Sequence, residues 1–212
     1  MLDRWFPSTQ HLYEGAYWQD IIDGQYQAMQ IDEGDLSKRD DLAALALVNN
    51  TKSGKEWFDE VQKYLDLDEF VKEIAVERYI GHWDGYAWTI KNNYYAHSTA
   101  EGVFTILPWG TDQTFGENRQ TDFIPTPIIG DDYWFAMDKP QVGFPWVQQV
   151  FKKSVLDRGM LFRKCLAYAP CKTEYLLQLK AVSAKATSIK LTGAMKTAST
   201  LIAPYTSAAE KK

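Results

Sequence analysis

Apolar positions fall at helical spacing through the middle of the chain and again in its last third. Asp40 and Asp41 precede Leu42-Ala43-Ala44-Leu45-Ala46-Leu47-Val48. This predicts a helix with acidic residues at the positive end of its dipole. Asn49-Asn50 and Ser53-Gly54 then read as breaks. Residues 55–65 carry Trp57, Phe58, Val61 and Leu65 along one helix face. Asp66 and Asp68 open the next helix, with Phe70, Val71, Ile74, Ala75, Tyr79 and Ile80 as its apolar positions and Gly81 as its stop.

The pattern changes beyond Gly81. Residues 93–97 and 103–107 are β-branched and aromatic runs joined through Ser98 to Gly102, which predicts a hairpin closed by Pro108. Residues 1–35 are rich in aromatics, Gly and Asp without a clean period, and read as loops and short extended pieces. Residues 110–145 form a long irregular stretch, of a kind that in a compact domain is usually functional. Helices are predicted at 145–153, 155–168 and 172–184. From Ala181 the chain turns to Ala, Ser, Thr and Lys, with only Val182, Ile189, Met195 and Leu201 as a thin apolar series. The expectation is one α+β domain over residues 1–212, mainly helical with a small β-hairpin, in which residues 181–212 form a weakly packed helical tail.

Composition narrows the classes. The 212 residues suffice for one sizeable core, and 45% apolar with 24% charged is ordinary for a globular chain. The 8 Trp, 12 Tyr and 10 Phe are in excess, and core packing is the reading preferred over platforms for sugars or bases. The net charge of -5, without a long basic run, argues against a nucleic-acid partner. No apolar run reaches the length of about 18 residues that a membrane span needs. The N-terminal Met-Leu-Asp-Arg-Trp-Phe-Pro has neither the basic start nor the apolar run of a signal peptide. Cys165 and Cys171 bracket Leu166-Ala167-Tyr168-Ala169-Pro170, a helix end and a turn. Two readings stand, a bridge or two separate thiols, and Pro170 favours the bridge, which would imply an oxidising compartment.

The segment that carries candidate chemistry is 70–116. It reads helix, tight loop with Asp84, an Asn-led strand, a second strand, then Asp112 ahead of Thr114-Phe115-Gly116. Phosphoryl transfer needs a carboxylate near the attacking hydroxyl, and an amide oxygen with a second carboxylate to hold magnesium on the phosphates. Protein kinases present such groups in this order. Asn93 leads directly into Tyr94-Tyr95; Asn92 is the alternative. The interval from Asp84 to Asn93 is 93 − 84 = 9 positions, longer than the roughly five of the usual kinase loop.

The wording of residues 82–116 resembles the spore-coat kinase (CotH) family. The family's Trp-Asp-Gly-Tyr loop stands here as Trp83-Asp84-Gly85-Tyr86, and its Asn-Asn-Tyr-Tyr as Asn92 to Tyr95. Its Gly-x-Phe and its Pro-Trp-Asp-x-Asp-x-Thr-Phe-Gly stand as Gly102-Val103-Phe104 and Pro108-Trp109-Gly110-Thr111-Asp112-Gln113-Thr114-Phe115-Gly116. Leu12-Tyr13-Glu14-Gly15, Glu33-Gly34-Asp35 and Asp40-Asp41-Leu42 also resemble it, and the resemblance covers most of residues 5–180.

The resemblance implies an atypical kinase fold and an ATP- and Mg2+-dependent transfer of phosphate to protein Ser or Thr, in a secreted, cell-surface or spore-coat bacterial protein. Asp84 would be the catalytic-loop carboxylate, Asn92 and Asn93 would bind the nucleotide, and Asn93 and Asp112 would hold the metal. The partner would be a protein substrate or a coat protein. Two departures follow from the same comparison. Gly110 replaces the first acid of the family's Pro-Trp-Asp-x-Asp, and no Gly-rich cover or phosphate-binding Lys is found before Leu12. The expectation is therefore a kinase-like C-lobe whose N-lobe is absent, incomplete or inactive as a catalyst. The alternative is a non-catalytic coat or surface protein derived from the same fold. His82 stays outside the catalytic set, Asp131-Asp132 reads as a solvated loop, and Glu14 and Asp23 receive no role.

Overall fold

The computed structural model describes residues 2–6, 8–82, 84–88, 91–111, 114 and 158–205. The helix expected at 145–153 lies outside them, as do Asp112 and Asp131-Asp132.

Four strands form one antiparallel sheet: β1 Thr9–Gly15, β2 Gln30–Glu33, β3 Tyr94–Thr99 and β4 Phe104–Pro108, in the order β2-β1-β3-β4. The expected hairpin is present as β3–β4, with Tyr95 opposite Leu107 and His97 opposite Thr105. It is half of a larger sheet, which corrects the expectation of a small hairpin alone. The other half comes from the segment read as loops and short extended pieces. β1 pairs along its length with β3, Tyr13 opposite Ala96 and Gly15 opposite Tyr94. Its buried positions are His11, Tyr13 and Gly15. A strand whose inward residues are a histidine, a tyrosine and a glycine lacks the aliphatic alternation that marks strands in sequence. Gly15 is required here, because a Cβ would stand 2.0 Å from the Tyr94 ring.

A short α1 (Leu2–Trp5) precedes β1, and a buried polar knot holds the sheet to the first long helix, α2 (Asp40–Thr51). Asp41 accepts hydrogen bonds from Tyr13 Oη at 2.7 Å, Ser98 Oγ at 2.6 Å and its neighbour Leu42 N at 2.8 Å, and pairs with His11 Nδ1 at 2.9 Å. Burial raises the Asp41 pKa, but these hydrogen bonds outweigh it and hold the carboxyl below its ordinary value. The helix does not stop at Asn49-Asn50. Asn49 is buried and donates to Ile21 O at 2.9 Å, while its carbonyl accepts from Trp57 Nε1 at 3.1 Å. A helix-breaking reading fails where the amide finds fixed partners outside its own turn.

Helix α3 (Gly54–Val61) inserts Trp57 and Val61 into the core. Helix α4 (Leu67–Ile80) starts where the Asp66 side chain accepts from Glu69 N, and ends at Gly81, whose φ of 68° is the left-handed stop expected from sequence. It packs on β4 and on α6 (Ala169–Ser188), with α5 (Met160–Ala167) preceding the latter. Its inward face carries Phe70, Val71, Ile74 and Ala75 and then, unexpectedly, Glu77 and Arg78. Cys165 of α5 and Cys171 of α6 form the expected disulfide, with 5.0 Å between their Cα atoms. A last helix, α7 (Leu191–Ile202), buries no residue. Among the described residues, Trp57, Trp88, Tyr13, Tyr86, Tyr94, Tyr175, Phe70, Phe104 and Phe162 are buried in the core. No described helix is long and apolar enough to cross a membrane.

Candidate active site

The site grows from the C-terminal end of α4. Gly81 turns the chain back, and His82 N donates to the Glu77 carbonyl at 2.9 Å. The loop then folds over the Glu77 side chain. Tyr86 N donates to its Oε1 at 3.1 Å and Ala87 N to its Oε2 at 2.9 Å. Gly85 lies between, where a Cβ would stand 2.6 Å from Oε1 and 2.7 Å from the His82 ring. Only a residue without a side chain fits there. At the next position of the helix, the Arg78 guanidinium lies 3.8 Å from the centre of the Trp88 ring, a cation–π contact that holds the end of the same loop.

Tyr86 carries the loop across to the other elements. Its hydroxyl donates to Asp20 Oδ1 at 2.9 Å and accepts from Leu161 N at 3.2 Å. Asp20 also accepts from Ile21 N at 2.7 Å and from Met160 N at 2.9 Å. A carboxylate and a phenol from distant segments thus satisfy the first free amides of α5, which its own N-cap residue Gly159 cannot do. Gly159 itself lies against the Tyr86 ring, where a Cβ would come within 2.4 Å.

On this base stand the residues singled out in sequence. Asp84 is buried. Its Oδ2 accepts from Asn93 Nδ2 at 2.9 Å and from Asn92 Nδ2 at 3.3 Å, and Asn92 Nδ2 lies 3.1 Å from Asn93 Oδ1. Asn93 takes a positive φ of 43°, in the left-handed region that asparagine tolerates better than most residues. That turn starts β3 beside Asp84, and the return of β4 brings Trp109 N to the Asn93 carbonyl at 3.0 Å. Gly110 follows with φ 59°, and a Cβ on it would stand 2.7 Å from both Cγ and Nδ2 of Asn93. The hairpin therefore brings the Pro-Trp-Gly segment back onto Asn93.

Burial dominates the electrostatics around this loop. It raises the Asp20 pKa, opposed by the Lys91 charge and by the hydrogen bonds from Met160, Ile21 and Tyr86. Burial likewise pushes Glu77 up to about 7, against the pull of the Ala87 and Tyr86 amides and of Arg78. One turn earlier, Glu73 is pushed up to about 9 by burial and then by the Glu77 and Glu69 charges.

Three of the four predicted site residues, Asp84, Asn92 and Asn93, are thus in direct contact, and Asp112 lies outside the described residues. The donor set of one carboxylate and two amides is all oxygen once the amides turn their carbonyls inward, which suits a hard dication such as Mg2+. Among the described residues no three His, Cys, Asp or Glu are grouped so as to hold a metal ion. His82 is fully buried, with Nδ1 3.9 Å from Glu77 Oε1. Sequence reading missed Glu77, Arg78 and Asp20. For Glu77 a signal existed: it stands three positions after Ile74 and seven after Phe70, on the apolar face of its helix.

A family model described as CotH kinase protein matches residues 9–201 of this chain. The match runs from β1 through the Asp84 loop to α7. The chain belongs to the CotH kinase family. Membership in a kinase family implies ATP and a divalent metal in general terms. No curated protein matches the chain.

Proposed function

We propose that this chain carries the catalytic-loop site of a CotH-type protein kinase, which transfers phosphate from ATP to Ser or Thr of a protein, and that the site turns over slowly in this chain. The observation supporting the site is the contact of Asp84 with Asn92 and Asn93 at the foot of β3. Asp84 is the base that receives the proton of the attacking hydroxyl. Asn93, with Asn92 beside it, binds nucleotide and metal through its amide oxygen, and Asp112 supplies a second carboxylate. The bound dication offsets negative charge on the phosphates. Asn93 presents nitrogen to Asp84 and oxygen to Asn92, so its amide must turn by half a rotation to ligate a cation that Asp84 shares.

Slow turnover is supported by Gly110. It occupies the position where the family resemblance has an acid, and its backbone passes so close to Asn93 that no side chain fits. The site therefore has one carboxylate fewer to hold the metal. The same observation favours the second reading, a non-catalytic coat or surface module on a kinase-like C-lobe. In either reading residues 1–212 form one kinase-like domain with a loosely packed tail, and the partner is a protein. The disulfide supports an extracytoplasmic location, where such bridges persist.

The test is transfer of radiolabelled phosphate from ATP to the chain itself and to a Ser/Thr-rich protein acceptor. We expect transfer barely above background, and none in Asp84→Ala. Rapid transfer abolished by Asp84→Ala would keep the kinase site and overturn slow turnover. Transfer that Asp84→Ala leaves unchanged would remove Asp84 from the mechanism.

A further inference from the structure

We propose that Glu77 is a positioning residue for Asp84, an inference that rests on reading Asp84 as the reacting carboxylate. Asp84 sits in a loop that closes onto Glu77 from both sides. Before it, His82 N donates to the Glu77 carbonyl at 2.9 Å. After it, Tyr86 N and Ala87 N each donate to a different oxygen of the Glu77 carboxylate, at 3.1 and 2.9 Å. Two successive amides on the two oxygens of one carboxylate fix both the distance and the rotation of the peptides that follow Asp84. A single hydrogen bond leaves that rotation free.

The fit around the carboxylate is close. Gly85, the residue directly after Asp84, leaves room for Oε1 only because it has no Cβ, which would stand 2.6 Å away. The Glu77 side chain is 1% exposed, so water does not compete for its oxygens. Its backbone lies on α4, which packs on β4 and α6, so the loop is referred to a rigid element instead of to another loop. Asp84 presents its Oδ2 to Asn93 and Asn92 from this footing. Displacing the loop by a fraction of the hydrogen-bond length separates the carboxylate from both asparagines at once.

A merely structural carboxylate would affect stability alone. A positioning carboxylate affects cation affinity in the folded protein. The experiment uses Mn2+, followed by electron paramagnetic resonance, on the full chain and on Glu77→Gln and Gly85→Ala. Gln keeps the size and one acceptor but turns an N–H donor toward a backbone N–H. Ala at 85 leaves the carboxylate intact and pushes a Cβ into it. Loss of an outer partner of a metal site typically weakens metal binding roughly 10- to 100-fold. We expect at least the lower figure in both variants at temperatures where both remain folded. Affinity equal to the parent in either folded variant overturns the proposal.

If the parent binds no Mn2+, the reading of Asp84 fails, and amide hydrogen exchange then judges Glu77 separately. Exchange at Tyr86 and Ala87 at least about tenfold faster in Glu77→Gln, with α4 amides at parental rates, supports the positioning role. Parental exchange at both amides overturns it.

Discussion

Asn93 Nδ2 lies 2.9 Å from Asp84 Oδ2, nine positions away along the chain. The intervening loop is long enough to reach inward to Glu77 and Asp20 before it returns, so the carboxylate and the asparagine that begins β3 meet over a buried support.

The backbone at Asn93 separates conformational strain from lost chemistry. Asn93→Gly keeps the positive φ without penalty and removes the amide, whereas Asn93→Ala removes the amide and strains the left-handed backbone. Urea unfolding should find the Ala variant less stable than the Gly variant by about 1 kcal/mol. Equal stabilities would contradict the backbone geometry at this position.

Restoring an acid at position 110 should not restore a kinase. Gly110→Asp places a Cβ at 2.7 Å from the Asn93 amide on a backbone with φ 59°. Gly110→Ala and Gly110→Asp should each lower stability by about 1–2 kcal/mol, since the strain comes from the backbone and the first side-chain atom. A stable Gly110→Asp variant with raised phosphate transfer would show that the loop re-forms around the acid.

Stability should fall as pH rises through the range set by Glu73. Its carboxyl is held up to about 9, from an ordinary 4.5, by burial first and then by the Glu77 and Glu69 charges. A folded pKa above the unfolded one means that the folded state binds more protons in between. The stabilisation is full below the unfolded value and is lost as pH rises toward the folded one. Glu73→Gln removes that dependence. Its melting temperature relative to the parent should climb from about pH 5 to about pH 9. A difference that stays constant across the range would contradict a half-buried Glu73 held protonated.

The Cys165–Cys171 bridge closes a short loop between α5 and α6. Chain-entropy reasoning for a loop of this size gives about 2 kcal/mol. Cys165→Ser with Cys171→Ser, or reduction of the parent, should lower unfolding free energy by about that amount. Quantitative alkylation of both cysteines in the non-reduced protein would show that the bridge is not formed.

Much of this fold is legible because local rules and tertiary context agree. Asp66 caps α4, Gly81 stops it, and the aromatic runs on either side of Gly102 pair as β3 and β4. The contact of Asp84 with Asn92 and Asn93 is legible because the three are close in sequence and one loop joins them ahead of β3. What stayed hidden depends on partners far along the chain. β1 carries polar and small residues inward because Asp41, from α2, satisfies His11 and Tyr13. Asn49 continues a helix because Ile21 and Trp57 take its amide. Asp20 looks like a loop residue until Tyr86 and Met160 are seen to converge on it. Glu77 lies on the apolar face of its helix, and its role depends on the Tyr86 and Ala87 amides that fold back onto it.

The most direct test of the Asp84 site is Mn2+ titration of the parent, Asp84→Asn and Asn93→Gly, followed by electron paramagnetic resonance with and without ATP. Asp84→Asn keeps the shape of the side chain and removes the charge; Asn93→Gly keeps the backbone and removes the amide. Weak binding by the parent, strengthened by ATP and lost in both variants, is expected if Asp84 and Asn93 share a cation on the phosphates of a nucleotide. Binding of equal strength in all three proteins would contradict it and would place the cation elsewhere.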